Sequence, residues 1–307
     1  DIPAGEVWPL DKIKALKKEI EDHRLELEVI ESVNIHEDIK LGENTRDMYI
    51  QNYIDTMKNL SGIGIKVICY NFMPVMDWLR TDLNRQLDDG SNTMAYKHEY
   101  LLNINPKDLV NGINKGSLEF ELPGWEPERL KEMSVMIEKY RDITEEKYWK
   151  NIKYFLDSII PYAEKFDIKM AIHPDDPPWP IFGLHRFITN RENIRKFLSL
   201  NPSPHNCITL CTGSLGANIE NDIPAIAKEF ANENKIAFAH IRNLKFESEK
   251  NFYESAHLSS CGSFDIFEIV KALYEAGFDG YIRPDHGRMI WGENGRTGYG
   301  LYDRALG

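Results

Sequence analysis

Four short apolar runs in this sequence each end on a side chain that can bind a metal ion. His173 ends KMAIH, Cys211 ends ITLC, His240 ends AFAH and Asp285 ends YIRPD. Imidazole, thiolate and carboxylate groups together can bind Zn²⁺, or Mn²⁺ or Fe²⁺ with open positions for substrate oxygens. Because each group comes from a separate run, a metal site requires a fold that brings the ends of these runs together.

The alternation of strand-like and helix-like segments predicts such a fold. Strands are predicted at 25–31, 64–72, 167–173, 207–213, 236–243 and 280–286, with a short further run, FYESAHL, at 252–258. Alternation with helices is typical of a parallel sheet, and nearly continuous apolar strands are typical of a sheet covered on both faces. We expect an α/β fold, a (β/α)₈ TIM barrel, in which functional groups lie at the C-terminal ends of the strands.

The two ends of the sequence and one internal segment do not follow the alternation of strands and helices. The chain opens with the loop-like DIPAGEVWP and stops soon after the last predicted strand, so we expect the first strand and last helix to be missing from the given chain. We expect residues 1–307 to form a single TIM-barrel domain with a polar insertion at about 77–125, a lid or oligomer contact. A doubly wound open sheet is the alternative, but no Gly-x-Gly-x-x-Gly motif follows a strand to support dinucleotide binding.

Composition disfavours several classes of partner. With 37 Lys and Arg against 49 Asp and Glu, the net charge of −12 disfavours nucleic acid and anionic membrane surfaces. No apolar run reaches the roughly 18 residues of a membrane span, and the first residues of the given sequence do not have the pattern of a signal peptide. Cys207 and Cys211 share one predicted strand and lie about 13 Å apart, too far for a disulfide. We expect reduced thiols and a cytoplasmic protein.

Acid–base groups lie close to the predicted ligands. In RPDHGRMIWG (283–292), Asp285 is expected to bind metal, His286 is free for proton transfer, and Arg288 can hold a carboxylate through two parallel hydrogen bonds. Tyr299 lies between two glycines and can act as a proton donor or gate.

The loop after His173 is expected to be stiff, because prolines recur in AIHPDDPPWP (171–180) and each fixes its backbone φ. Asp175 and Asp176 in this loop are expected to accept hydrogen bonds from the imidazole or from a substrate.

Several long segments resemble mannonate dehydratases, and the resemblance extends over essentially the whole chain. They are VIESVNIHEDIK, CYNFMPVMDW, AIHPDDPPWPIFGL, ITLCTGSLG, HIRN, ESAHLSS, RPDHGRMIWG and GYGLYDRALG. The resemblance implies a xylose-isomerase-like barrel and a hydro-lyase that converts D-mannonate to 2-keto-3-deoxy-D-gluconate in hexuronate breakdown. It also implies a divalent metal, Mn²⁺ or Fe²⁺ rather than Zn²⁺.

The resemblance also implies roles for particular residues. The metal ligands fall on His173, Cys211, His240 and Asp285, and the catalytic groups fall on His286 and Tyr299. Contacts to the sugar acid are expected from Arg288, Arg242, His257, His36 and Asn71. A homodimer or higher homo-oligomer is expected by analogy. Two other functions stay open, a metal-dependent sugar isomerase on the same barrel and a barrel that binds metal or sugar acid without turnover.

Overall fold

The computed structural model describes residues 2–102, 135–295 and 297–307. The strands of these residues, numbered along the chain, are β1 (Val29–Glu31), β2 (Val67–Tyr70), β3 (Asp82–Gln86), β4 (Asn92–Lys97), β5 (Lys169–Ile172), β6 (Asn206–Cys211), β7 (Ile236–Ile241), β8 (Asn243–Ser248), β9 (Asn251–Ser255) and β10 (Tyr281–Pro284). The helices are Leu10–Asp22, Glu37–Leu41, Arg46–Ser61, Glu99–Leu102, 135–140, Glu145–Phe166, Arg191–Leu200, Thr212–Gly216, Ile223–Asn232, Ile266–Glu275 and Leu301–Leu306.

The six parallel strands form one sheet whose order follows the chain, β1-β2-β5-β6-β7-β10. A doubly wound sheet would reverse its order at a switch point, so this sequential winding confirms the barrel prediction instead. Side chains connect the two edge strands, because the Tyr281 hydroxyl donates to Glu28 Oε2 at 2.9 Å and Arg283 Nη1 lies 2.5 Å from Glu31 Oε2. The sheet therefore curves into a nearly closed barrel.

The longest helix, Glu145–Phe166, shows how the outer layer is built. The Thr144 hydroxyl accepts a hydrogen bond from the backbone of Lys147 at its start, and Asp167 ends it in a left-handed conformation at φ 55°. Its apolar face, which includes the fully buried Phe155, packs against the helix Arg46–Ser61. Such amphipathic helices cover the outside of the parallel sheet.

The run FYESAHL is a strand, but counting it with the barrel strands was wrong. Its residues 252–255 belong to β9, which lies in a second, antiparallel sheet of order β3-β4-β9-β8. Strand β3 alternates exposed and buried residues along much of its length, as expected for an antiparallel sheet with one solvated face. An apolar run alone does not reveal which sheet a strand joins.

The predicted insertion contributes strands β3 and β4 to this antiparallel sheet. It also reaches the barrel loops, since Trp78 pairs with Asp176 through a short backbone bridge. Residues 103–125 of the insertion lie outside the described residues. The single-domain organisation and the lid role therefore stay predictions.

All four cysteines are free. None of the described helices combines the length and the apolarity needed to cross a bilayer.

Candidate metal centre and active site

The four predicted metal ligands lie at the C-terminal ends of adjacent barrel strands. His173 follows β5 and extends its ladder, because its backbone N–H donates to the carbonyl of Tyr70 at 2.6 Å. Cys211 ends β6 and its thiol accepts a hydrogen bond from the backbone of Ser214. Parallel register places Cys211 beside His240. Asp285 follows β10 on the other side of β7.

The four side chains converge. Ligand atoms of His173, Cys211 and His240 all lie within 4.8 Å of one another. Asp285 Oδ2 lies 3.7 Å from Cys211 Sγ and 3.9 Å from His240 Nδ1. Two imidazoles, a thiolate and a carboxylate at these separations could all reach one ion.

The hydrogen bonding of His240 also fits a metal ion. The residue is fully buried, yet among the described residues neither of its ring nitrogens makes a hydrogen bond of good geometry. Leaving a buried polar atom without a partner is costly, and native proteins rarely do so. A cation bound by a ring nitrogen would remove that cost.

Local charges keep the Asp285 carboxylate ionised. Burial raises the pKa of this carboxyl group, but surrounding positive charges outweigh burial and hold the pKa well below its usual range. These charges belong to His286, His240, Arg283 and Arg242. An ionised carboxylate is the form that binds a metal ion.

Nearby carboxylates shift the pKa of His240 in the opposite direction, upwards. Burial lowers the pKa of this imidazole, but the carboxylates of Glu31 and Asp285 outweigh burial and raise it. A ring nitrogen that binds metal must first lose its proton. Metal binding at this centre should therefore release protons.

A cavity of about 270 Å³ joins the metal candidates to the predicted catalytic groups. Its walls include His173, His240, Asp285, His286, Tyr299, Asn71, Arg242 and Trp78. The rings of His286 and Tyr299 are 5.5 Å apart. The Tyr299 segment is held beside His286 because the backbone N–H of Gly287 donates to the carbonyl of Gly298 at 3.0 Å.

Three predicted sugar-acid contacts lie outside the described lining of this cavity. Arg288 is paired with Asp303, at 3.1 Å from Nη2 to Oδ1, and with Asp89 at 2.8 Å. His36 stacks on Tyr49 with ring centroids 3.6 Å apart and caps the helix Glu37–Leu41. His257 is buried at 4% exposure. Their roles as substrate contacts are not supported by this geometry.

Sequence reasoning missed a buried ion network beside the cavity, to which Asp176 and Arg242 also belong as wall residues. Arg80 lies 2.7 Å from Asp176 Oδ1 and 2.6 Å from Glu254 Oε1, and Arg242 contacts the same two carboxylates. Arg242 Nε also lies 3.0 Å from Asp285 Oδ2. Asp176, expected to bind imidazole or substrate, instead holds two arginines. The network joins three separate parts of the chain, around Arg80, Asp176 and 242–254, so no local motif could have revealed it.

A parallel barrel with imidazole, thiol and carboxylate side chains converging at its strand ends defines a xylose-isomerase-like TIM-barrel fold with a candidate metal site. A xylose isomerase-like TIM barrel protein from Mycobacterium smegmatis, solved in complex with magnesium, shares the fold alone, at TM-score 0.52 and 11% identity over 99% of this chain and 79% of that one. The D-mannonate dehydratase (UxuA) family matches residues 1–307. The chain belongs to this family.

Individual relatives agree with the family match. The mannonate dehydratase of Thermotoga neapolitana is 58% identical over 307 residues, which cover 100% of this chain and 85% of the relative. That of Lactococcus lactis subsp. cremoris is 56% identical over 309 residues, covering 100% and 86%. The crystal structure of mannonate dehydratase from Streptococcus suis serotype 2 has TM-score 0.89 and 44% identity over 100% of this chain and 82% of that one. The family resemblance seen in the sequence is confirmed.

Proposed function

We propose that this chain dehydrates D-mannonate to 2-keto-3-deoxy-D-gluconate with a bound divalent metal ion. The observation that carries the proposal is the shared cavity, whose walls combine the metal candidates His173, His240 and Asp285 with the proton-transfer candidates His286 and Tyr299. Membership of the D-mannonate dehydratase family supplies the substrate and the reaction.

His173, Cys211, His240 and Asp285 would hold the metal. The thiolate and imidazoles favour a transition metal over Mg²⁺ or Ca²⁺, and we infer Mn²⁺ or Fe²⁺ because both also accept oxygen ligands from a sugar acid. When bound, such an ion supplies positive charge that stabilises developing negative charge on substrate oxygens.

The reaction removes the proton on C2 and the hydroxyl on C3. The C2 proton passes to a base, the C3–O bond breaks, and the departing hydroxyl takes a proton from an acid and leaves as water. The resulting enol then forms the 2-keto group. His286 and Tyr299, which both line the cavity, divide these two proton transfers.

The two ring nitrogens of His286 have different environments. Its Nδ1 lies 3.3 Å from Glu254 Oε1 and 3.2 Å from Arg242 Nη1, so buried groups hold that edge of the ring. Nε2 is then the nitrogen that meets a substrate proton. The ring is oriented before substrate arrives, which lowers the entropic cost of proton transfer.

Asn71 is the best placed of the predicted substrate contacts. It lines the cavity, and its side-chain Oδ1 is occupied by the backbone N–H of Met73 at 3.1 Å. Its NH₂ group can therefore donate to a substrate oxygen.

The test follows formation of the keto acid. The protein is stripped with chelator, reloaded with Mn²⁺, Fe²⁺, Zn²⁺ or Mg²⁺, and given D-mannonate. We expect metal-dependent 2-keto-3-deoxy-D-gluconate, with Mn²⁺ or Fe²⁺ most effective. Absence of keto acid from folded, metal-loaded protein would contradict the proposal.

We also infer a cytoplasmic homodimer or higher homo-oligomer. The free cysteines support a reducing compartment. The assembly rests on analogy with other acidic barrels that carry insertions, and light scattering on the purified protein tests it. A monomer at micromolar concentration would contradict it.

A further inference from the structure

The imidazole of His240 lies between two carboxylates. Nδ1 lies 3.9 Å from Asp285 Oδ2, on the side of the proposed metal centre. Nε2 lies 3.2 Å from Glu31 Oε2 on another side. One ring nitrogen can therefore bind the ion while the other faces a second carboxylate.

Glu31 itself could be read as a metal ligand. Ligand atoms of Glu31, Cys69 and His240 all lie within 4.8 Å of one another, which is the spacing of a second possible ion site. However, Arg283 Nη1 lies 2.5 Å from Glu31 Oε2, the same oxygen that faces His240. A guanidinium already supplies the positive charge there, and a second cation beside it would be repelled.

We propose that Glu31 is a positioning residue for the metal centre: it accepts the Nε2 proton of His240 and so presents Nδ1 to the ion. This inference rests on the metal centre proposed above. The role of Glu31 differs from that of the four proposed metal ligands, because Glu31 would act on the ion only through His240.

The physical reason is the two-sided chemistry of imidazole. A histidine that binds metal through one nitrogen carries its proton on the other, and a carboxylate that accepts this proton fixes the tautomer and makes the ligand more basic. Only a small rotation of either side chain is needed, since the two atoms are already 3.2 Å apart.

Arg283 holds Glu31 in place for this role. Its Nη1 lies 2.5 Å from Glu31 Oε2, while its Nη2 lies 2.5 Å from Asp285 Oδ1. One planar guanidinium thus joins the carboxylate behind His240 to the carboxylate that contributes to the metal centre. The fork geometry of arginine suits two such contacts at a fixed separation.

The test measures Mn²⁺ affinity and stoichiometry directly, by calorimetric titration of chelator-stripped protein. We expect Glu31→Ala to weaken Mn²⁺ binding about 10- to 100-fold, the usual effect of losing a carboxylate behind a ligating histidine. Glu31→Gln keeps an acceptor oxygen and should recover part of the affinity. All variants should still bind a single equivalent.

Glu28→Gln is the matched control. Glu28 lies just before the same strand and accepts a hydrogen bond from Tyr281 instead of facing His240, so its replacement should leave Mn²⁺ affinity unchanged. Thermal unfolding of each metal-free variant checks that the fold is kept. If Glu31→Ala does not fold, Glu31→Gln and Glu31→Asp decide the question by the same titration.

Three results would overturn the inference. One is a Glu31 variant that folds, lacks a hydrogen-bond acceptor at this position and still binds Mn²⁺ with wild-type affinity. Another is a wild-type protein that binds two equivalents and falls to one in Glu31→Ala, which would make Glu31 a ligand of a second ion. The third is a Glu31→Gln affinity no better than that of Glu31→Ala. Failure of the wild-type protein to bind Mn²⁺ would instead reject the metal centre itself.

Discussion

Glu254 Oε1 lies 3.3 Å from Nδ1 of His286, so a carboxylate of the antiparallel sheet meets an imidazole at the mouth of the barrel. Arg80 and Arg242 hold the same carboxylate, and all three of these charged side chains are almost completely buried. The second sheet is therefore joined to the barrel through charges at the edge of the candidate active site.

Replacing Arg80 should strongly destabilise the protein. Arg80→Met leaves Asp176 and Glu254 with one fewer buried cation, and removing one partner of a buried ion pair costs about 3–5 kcal/mol. Arg85→Met is the control, because Arg85 pairs with Glu247 on the partly exposed face of the same sheet and such pairs contribute at most about 1 kcal/mol. The free energy of unfolding in urea measures both. Equal losses in the two variants would contradict the importance of burial here.

Replacing Cys211 should abolish tight metal binding. Cys211→Ala removes the thiolate from the four-ligand set and leaves a small buried gap. Cys207→Ala at the opposite end of the same strand is matched in burial and lies outside the proposed site, so it should bind metal normally. Elemental analysis after dialysis measures the bound metal. Stoichiometric metal and full activity in Cys211→Ala would reject the ligand assignment.

Replacing His286 or Tyr299 should greatly lower kcat while metal binding persists. Loss of a general acid or base typically lowers the rate about 10²- to 10⁴-fold, so His286→Asn and Tyr299→Phe should each lower kcat in that range. His23→Asn, at the exposed end of the helix Leu10–Asp22, should have wild-type kcat. Metal content is measured beside the rate of keto acid formation. Near-normal kcat in both active-site variants would place the proton transfers elsewhere.

Stability should fall in mild acid because of the buried network. Burial raises the pKa of the Asp176 and Glu254 carboxyl groups, but Arg80 and Arg242 outweigh it and hold both pKa values below their usual range. A lowered pKa in the folded state stabilises the protein above the unfolded value of about 4, and that stability is lost as the pH falls below it. We expect the free energy of unfolding to decline from about pH 5 to pH 3 in metal-free protein.

Glu254→Gln gives the matched comparison for this pH dependence, because it removes one of the two titrating carboxyl groups. The variant should be less stable near pH 7 and should lose less additional stability on acidification. Urea unfolding across the same pH range measures both. A decline as steep as that of the wild type would mean that other groups carry the acid sensitivity.

Much of the fold could be predicted because burial on both faces leaves a local signature. The run KMAI is strand β5 and ITLC ends strand β6, as their apolar residues indicate. The first predicted strand was too long, since only Val29–Glu31 pairs with a neighbour in the described structure. FYESAHL showed strand character, but the sheet it joins depends on β4, which lies in a distant part of the chain.

Some residues of the candidate site could also be predicted from the sequence, while others could not. The metal-binding types of His173, Cys211, His240 and Asp285 were visible at their strand ends, and their convergence follows from parallel register. Arg288 shows the opposite case, because its sequence context suits a substrate carboxylate while the fold supplies Asp303 as its partner. A side chain's chemistry is local, but its partner depends on where distant segments pack.

By itself, the sequence determined the alternating strands and helices, the candidate ligand types at the strand ends and the family. Each of these features depends on residues that are close together in the chain. Only the tertiary structure decided that Glu31 faces His240, that Glu254 faces His286 and that Arg80 and Arg242 share two buried carboxylates. Those pairings join residues far apart in the chain, so they depend on strand order, register and curvature rather than on local pattern.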